Sequence, residues 1–401
     1  MSPSLPAVVL GAGVNGLGVA RSLAKAHVPV WLLDSDPKRP EMHTRMAKPL
    51  RLPAMQGEPL IEGLVSLGKT VFADQHPVML LTQEEVVKTV SRNRKLLSPY
   101  YRLTLPEQDV LESLLHKEGF QRIAERLGAP IPPLVHIRSL QDLPALQKLR
   151  FPVVIKPGER HVEYSRTFKK AYQIDDREQA EQLIRSIMPV MTDIVVQEWI
   201  EGPDSNIFFC LQDIRRDGSV AASFTGRKIR SWPPQVGGTA SCTSAPEADS
   251  ELTTMTTQFF QQSGVVGLAS MEYKRDARTR NFRMVEPTVG RTDYQEEVAT
   301  LHGVNLPYAA YCAELDMLCP APVVTKRPVV WRVRSEDAQS AAAHGQHLKY
   351  GYPRGAPVTD ALWRWNDPKP FLVQSSRRVR RALRTRTAKI VTGSHEAKGK
   401  I

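Results

Sequence analysis

Apolar and polar positions form their most informative pattern between Val265 and Arg291. Two β-like runs, Val265–Tyr273 and Phe282–Pro287, flank a polar connection, Lys274–Asn281. That pattern predicts a hairpin with a long turn. A turn centred near Thr279 sets Glu272 directly opposite Glu286. Opposed Cβ atoms in such a pair lie roughly 4.5–5.5 Å apart. Two carboxylates at that separation repel by about 3–4 kcal/mol at an effective dielectric near 20. A cation bound between them removes the cost. Hard oxygen ligands suit Mg²⁺, which also accepts phosphate oxygens. The plainer alternative is two solvated glutamates screened by nearby arginines.

The same patterning divides the rest of the chain. Ala7–Leu10 is a short apolar run, followed by Gly11-Ala12-Gly13-Val14-Asn15-Gly16 and a helical pattern to about Ala26. A second apolar run, Val28–Leu33, ends at Asp34. This is a β–GxGxxG–α–β unit with an acid about 20 positions after the glycines. It predicts either a dinucleotide site or a Rossmann-like half-domain whose glycines only let strand and helix pack closely. Leu60–Gly68, Pro77–Leu81 and Glu84–Arg94 continue the β/α alternation. A boundary is expected near Ser98–Pro106. Leu105–Leu127 then reads as one helix, with Leu111, Leu114, Leu115 and Ile123 at core spacing. Gly128–Pro133 breaks it.

Phe151–Lys156 reads as a buried strand ending in a lysine, Ala171–Ile174 as its return and Arg177–Ile187 as a helix. A lysine at a strand end reaches phosphate oxygens as a point charge, or is simply an exposed terminus. In Ile194–Phe209 two strands flank Glu201-Gly202-Pro203-Asp204. Gln197-Glu198-Trp199 at the first strand's end offers an amide and backbone groups to an adenine edge. The acid beyond the turn offers itself to ribose hydroxyls. A plain hairpin is the alternative. Near the C-terminus a helix is expected from Pro307 to Met317, a boundary at Pro320–Pro322, a strand within Arg327–Arg334 and another at Ala361–Arg364.

Composition changes this picture little. The 401 residues allow two or three domains. Hydrophobic residues at 41% and charged residues at 24% are ordinary for a soluble enzyme. No apolar run approaches the ~20 residues of a membrane span. A strand begins within a few residues of Met1, so no signal peptide is expected. Cys210, Cys242, Cys312 and Cys319 are scattered without zinc spacing and fit a reducing cytoplasm. The net charge is +12, of which the nine Lys/Arg and one Glu from Arg377 onward supply +8. That tail, with Val379 and Leu383 at helical spacing, reads as a solvated segment or one attracted to anionic membrane; nucleic acid is the less expected partner.

In order and spacing, FPVVIKP, VVQEWIEGPD and the hairpin with Glu272 and VEPTVGR resemble the ATP-grasp superfamily over roughly residues 5–320. The likeness is nearest to carboxylate–amine ligases of the D-alanine–D-alanine and D-aspartate ligase types. The resemblance implies a mixed α/β and α+β architecture. A Rossmann-like pre-ATP-grasp domain would span 1–105, a two-part ATP-grasp domain 106–320 and a C-terminal extension 321–401. It implies ATP and Mg²⁺, with Mn²⁺ as an alternative cation, and small carboxylate and amine substrates. Lys117 and Lys156 match the phosphate lysines. Gln197 matches the polar residue at the adenine amino group. Glu198, Trp199 and Ile200 match the hinge, and Asp204 the ribose acid. Glu272 and Glu286 match the metal carboxylates, with Thr288 where the family often has Asn. Arg291 matches the arginine at the transferring phosphoryl group, and Lys228 and Arg230 fall where an acidic substrate would be held. Two further departures are His116 before Lys117, where Asp is usual, and a loop from Gly158 to Lys170 with a single glycine. In such ligases the first domain serves the second substrate rather than NAD, so Gly11, Gly13 and Gly16 would frame a substrate anion. The expected activity is ATP-dependent amide formation through an acyl phosphate. An NAD-dependent oxidoreductase and a non-catalytic nucleotide-binding protein recruited to membranes are the rival classes.

Overall fold

The computed structural model describes residues 5–158, 162–169, 171–325 and 327–378. Its first sheet has four parallel strands: β1 (Ala7–Leu10), β2 (Val30–Asp34), β3 (Lys48–Arg51) and β4 (Val78–Leu81), in the order β3-β2-β1-β4. The short unbroken apolar runs of β1 and β4 follow from burial on both faces. One face packs with Leu60, Leu64 and Val87, the other with Val19, Leu23 and Val298.

The glycine loop after β1 is shaped by contact with itself. Gly11 has φ +102°, and a Cβ on Gly16 would lie 1.8 Å from the Gly11 carbonyl oxygen. Asp34 is fully buried. Its Oδ2 accepts the Ala12 N–H at 2.9 Å, and its Oδ1 accepts from Asp36 N and Arg39 Nε. The acid after β2 therefore secures the loop.

The helix expected over Leu105–Leu127 is two helices, Gln108–Leu115 and Lys117–Arg126. They separate at His116, whose backbone is extended. A Cβ on Gly119 would lie 2.1 Å from the Ser113 carbonyl oxygen, so glycine permits this close fold-back. Periodicity alone does not see the break, because both halves keep their apolar spacing. The break places Lys117 at the start of a helix.

A second sheet contains β5 (Leu134–Ile137), β6 (Val153–Pro157), β7 (Tyr172–Ile174) and β8 (Ile194–Glu198), antiparallel in the order β5-β8-β6-β7. Val153, Ile155, Ile194 and Val196 pack on Ala180, Ile184 and Ile187 of the helix Arg177–Ile187. Alternation therefore turns Lys156, Val195 and Gln197 to the opposite face.

The third sheet comprises β9 (Ile207–Ile214), β10 (Val220–Trp232), β11 (Gly238–Ser244), β12 (Gly267–Arg275), β13 (Phe282–Val289), β14 (Val330–Arg332) and β15 (Val358–Asp360). Its order is β13-β12-β9-β10-β11-β14-β15. Phe208, Cys210, Met271 and Tyr273 face the helix Asp249–Ser263, and Phe209, Leu211 and Phe224 face Val298, Ala299 and Leu306. Because β14 pairs with β11, residues beyond 321 extend this sheet. The strand expected at Ala361–Arg364 does not form; β15 precedes it. The carbonyls of Ala361 and Leu362 accept from the Arg21 guanidinium, at 2.6 and 2.9 Å, instead of entering a ladder.

No helix of the described residues is long and apolar enough to cross a membrane. Most of the basic tail, with Val379 and Leu383, lies outside the described residues.

Candidate active site

The second and third sheets enclose a cleft of about 660 Å³, counting the solvent at its mouth. Lys117, Lys156, Gln197, Glu286 and Arg291 all line it. Lys156 Nζ donates to Gln197 Oε1 at 2.8 Å across adjacent strands. Lys117 Nζ reaches back to the Pro157 carbonyl at 3.0 Å. Two lysines from separate elements are thus gathered at the end of β6. Phe120, Leu134 and Val195 give the cleft an apolar wall, and Glu84 of the first domain closes one side.

Across the cleft, β12 and β13 form the expected hairpin, and Glu272 is the register partner of Glu286. Glu286 is exposed. Lys228 of β10 lies 2.8 Å from Glu272 Oε2. Burial opposes a charge on Lys228, but Glu272, helped by Asp293 and Asp204, outweighs it and holds the ammonium above its ordinary range. Thr288 follows Glu286 by two residues on the same strand face and pairs with Ser270. Arg291 stands just past β13, its Nη1 donating to the Thr292 carbonyl at 3.1 Å. Its Nε is buried without a hydrogen-bond partner among the described residues. The segment is fixed to the first domain by Asn15, whose amide donates to the carbonyls of Thr82 and Thr292.

Solved structures share the fold that builds this cleft. The chain superposes on the biotin carboxylase domain of Hydrogenobacter thermophilus 2-oxoglutarate carboxylase with a TM-score of 0.63 at 12% identity, covering 82% of this chain and 74% of that one. That structure holds MgADP, ADP and bicarbonate. Staphylococcus aureus N5-carboxyaminoimidazole synthetase complexed with ADP gives 0.63 at 12% identity, over 82% of each chain. Biotin carboxylase from Campylobacter jejuni gives 0.64 at 10% identity, over 82% of this chain and 75% of that one. No family model matches the sequence, and no curated protein is significantly similar to it.

The chain has the ATP-grasp fold.

Within the ATP-grasp fold the remaining expected residues take distinct places. Glu198 and Ile200 line a second cleft of about 560 Å³ with Ile131, Pro133 and Arg283. The N–H groups of Glu198 and Trp199 donate to the carbonyls of Pro133 and Pro152. Asp204 is buried, and its two oxygens accept the N–H groups of Ser231 and Gln235, each at 2.9 Å. It fastens the turn after β10. Arg230 is also buried, and its three nitrogens donate to Asp337 Oδ1 and to the carbonyls of Tyr350 and Leu348. It holds the C-terminal segment rather than lining the cleft. Of the loop expected to cover the phosphates, Arg160 and His161 lie outside the described residues.

Sequence reasoning missed Lys274. It follows Glu272 by two residues, so strand alternation alone puts both on one face. Its Nζ donates to the Gly202 and Pro203 carbonyls at 2.8 and 3.2 Å and lies 6.0 Å from the Trp199 ring centre. Burial pulls it down to about 8 despite Asp204 and Glu272. Asp293 and Glu84 were missed as well. Glu84 reaches the cleft from a helix far away in the chain and had no motif signal, whereas Asp293 lies two residues past Arg291, a spacing that pointed to it.

Proposed function

We propose that this protein is an ATP-dependent ligase that joins a small carboxylate to an amine through an acyl phosphate. The observation that carries the reading is the cleft itself, lined by Lys117 at a helix start, Lys156 and Gln197 of the second sheet, Glu286 of β13 and Arg291 just past it. The ADP and MgADP held by structural neighbours support a nucleotide as this cleft's ligand.

The residues fit a magnesium ion. Among the described residues no three His, Cys, Asp or Glu side chains converge as a metal site. Mg²⁺ needs only one or two carboxylates when phosphate and water complete its shell. Glu272 and Glu286 are opposed for that, with the Thr288 hydroxyl on the same face; Mn²⁺ would be held by the same oxygens. When bound, the ion supplies charge neutralisation on the β- and γ-phosphates.

The protein's own groups do the rest by position and charge. Lys117 and Lys156 place point charges on phosphate oxygens. Gln197 and the hinge Glu198–Ile200 hold the base. Arg291 meets the transferring phosphoryl group, where developing charge is worth most to neutralise. Lys228, buried outside the cleft lining, is paired with Glu272 and holds that carboxylate in place. The apolar wall keeps water from the acyl phosphate.

NAD loses its support in the first domain. Asp34, the acid that would read a ribose, is spent on Ala12, Asp36 and Arg39.

The test is full-length protein with Mg·ATP and a panel of amino acids, bicarbonate and other small carboxylates, each with a panel of amines. Phosphate release and product mass are measured. The reading requires an ADP-forming pair whose product carries a new C–N bond. No such product from any pair, together with no ATP binding by calorimetry, would discard it.

A further inference from the structure

Asp293 stands behind the cleft wall, two residues past Arg291, which lines it. Its Oδ2 accepts from Ser270 Oγ and Gln295 Nε2, both at 3.0 Å, and its Oδ1 accepts the Tyr294 N–H at 2.8 Å. All three donors are neutral. By contrast, Glu272 is paired with Lys228 and Glu84 with Lys88, while Asp293 makes no salt bridge among the described residues. It is half-buried and lies two residues beyond Arg291.

Its place is set by β12. Ser270 and Glu272 project from one face of that strand, about 7 Å apart. The Asp293 carboxylate, hydrogen-bonded to Ser270, is therefore about one side chain beyond the metal carboxylates, on the Arg291 side. Its charge is felt at Lys228, and at Cys242, whose thiol is pushed up by burial and by Asp293. Beneath it lies Glu296, 2% exposed, with Oε1 lacking any hydrogen-bond partner among the described residues. Burial, with Asp293 adding to it, pushes Glu296 up to about 8. Burial, more than the nearby Asp293 charge, keeps the proton on Glu296.

Given the ligase reading above, on which this rests, we propose that Asp293 is the general base of the second half-reaction. The amine nitrogen attacks the acyl-phosphate carbonyl carbon and a C–N bond forms. The nitrogen then carries positive charge and its protons become acidic. Asp293 accepts one. The C–O bond to phosphate breaks and its electron pair leaves with phosphate, which takes the proton from Asp293. The sum is RCO–OPO₃²⁻ and R′NH₂ giving RCONHR′ and HPO₄²⁻. Ser270 and Gln295 are positioning residues that aim the carboxylate.

Hydroxylamine separates this role from the first half-reaction, because it attacks acyl phosphates without a base. Wild type and Asp293→Asn are each given Mg·ATP and the carboxylate panel, with hydroxylamine, ammonium chloride or an amino acid as the amine. Asp293→Asn is expected to form hydroxamate within about threefold of wild type, yet lose about 100-fold or more in amide formation. Asp293→Glu should recover part of the loss, and unchanged hydroxamate formation shows that the variant folds. Equal losses with hydroxylamine and with the other amines, or no loss with either, overturn the assignment while leaving the ligase reading intact. Absence of hydroxamate from wild type with every carboxylate overturns the ligase reading, and this assignment with it.

Discussion

Lys228 Nζ lies 2.8 Å from Glu272 Oε2, and Glu272 is the register partner of Glu286. A lysine from a third strand therefore offsets the repulsion that two opposed carboxylates would otherwise feel. The lysine is almost fully buried, so it depends on that partner. Glu272→Gln should cost about 3 kcal/mol, since it leaves a buried ammonium uncompensated. Denaturant unfolding measures it. A variant as stable as wild type would mean that solvent already screens the pair.

Glu286→Gln is expected to behave differently. Glu286 is exposed, and Glu272 is already neutralised, so no repulsion is left to relieve. Stability should stay within about 0.5 kcal/mol of wild type, as for surface changes generally. ATP-dependent turnover should fall by about 100-fold or more, because a charged group at the transferring phosphate is lost. Turnover near the wild-type rate would remove Glu286 from the metal site.

Glu296 gives a pH signature. Its folded-state value, about 8, lies above the ordinary 4.5, so the folded protein binds more protons between those values. Stability from this group is present below pH 4.5 and is lost as pH rises toward 8. Glu296→Gln keeps a neutral side chain and should be the more stable protein at pH 7 by on the order of 2–3 kcal/mol, with the gap closing toward pH 5. Thermal unfolding across that range checks it. A gap that widens as pH falls would reverse the sign and refute the buried, protonated state.

Asp367 ties the C-terminal segment to the first domain. It is fully buried and accepts from Arg21 Nε and Nη2, Thr44 Oγ1 and Arg45 N. Asp367→Ala should cost about 3–5 kcal/mol through the uncompensated Arg21 charge. Truncation after Arg378 keeps that anchor and should leave ATP binding by calorimetry unchanged. Truncation before Asp367 should destabilise as much as the point change. Loss of ATP binding on the shorter cut alone would place the tail in the catalytic fold.

Asp34→Ala should destabilise by about 2 kcal/mol, because the buried Ala12 N–H loses its acceptor. NAD should bind neither protein in calorimetry. Tight NAD binding to wild type, abolished in the variant, would restore the dinucleotide reading of the glycine loop.

The hairpin was legible from residues 265–291 alone. Alternation fixes which side chains share a face, but the turn alone, pairing Arg275 with Phe282 and Lys274 with Arg283, would set Glu272 opposite Val285; a register shift between Glu272 and Tyr273 brings Glu286 opposite instead. The β1–glycine loop–helix–β2 unit was legible for the same local reason. What those residues then do was not. Asp34 has the position of a ribose acid, yet the loop folds back far enough to claim it. Asp204 has the position of another, but the N–H groups of Ser231 and Gln235 take both its oxygens. Lys228 and Arg230 stand two residues apart on one strand, and the register shifts on either side of Arg230 send them to different partners. Lys228 meets Glu272, while Arg230 meets Asp337, 107 positions along the chain. Pattern and spacing determine which face a side chain takes. Which charge it finds there depends on chain segments brought together from far apart, and only the folded arrangement of the three sheets decides that.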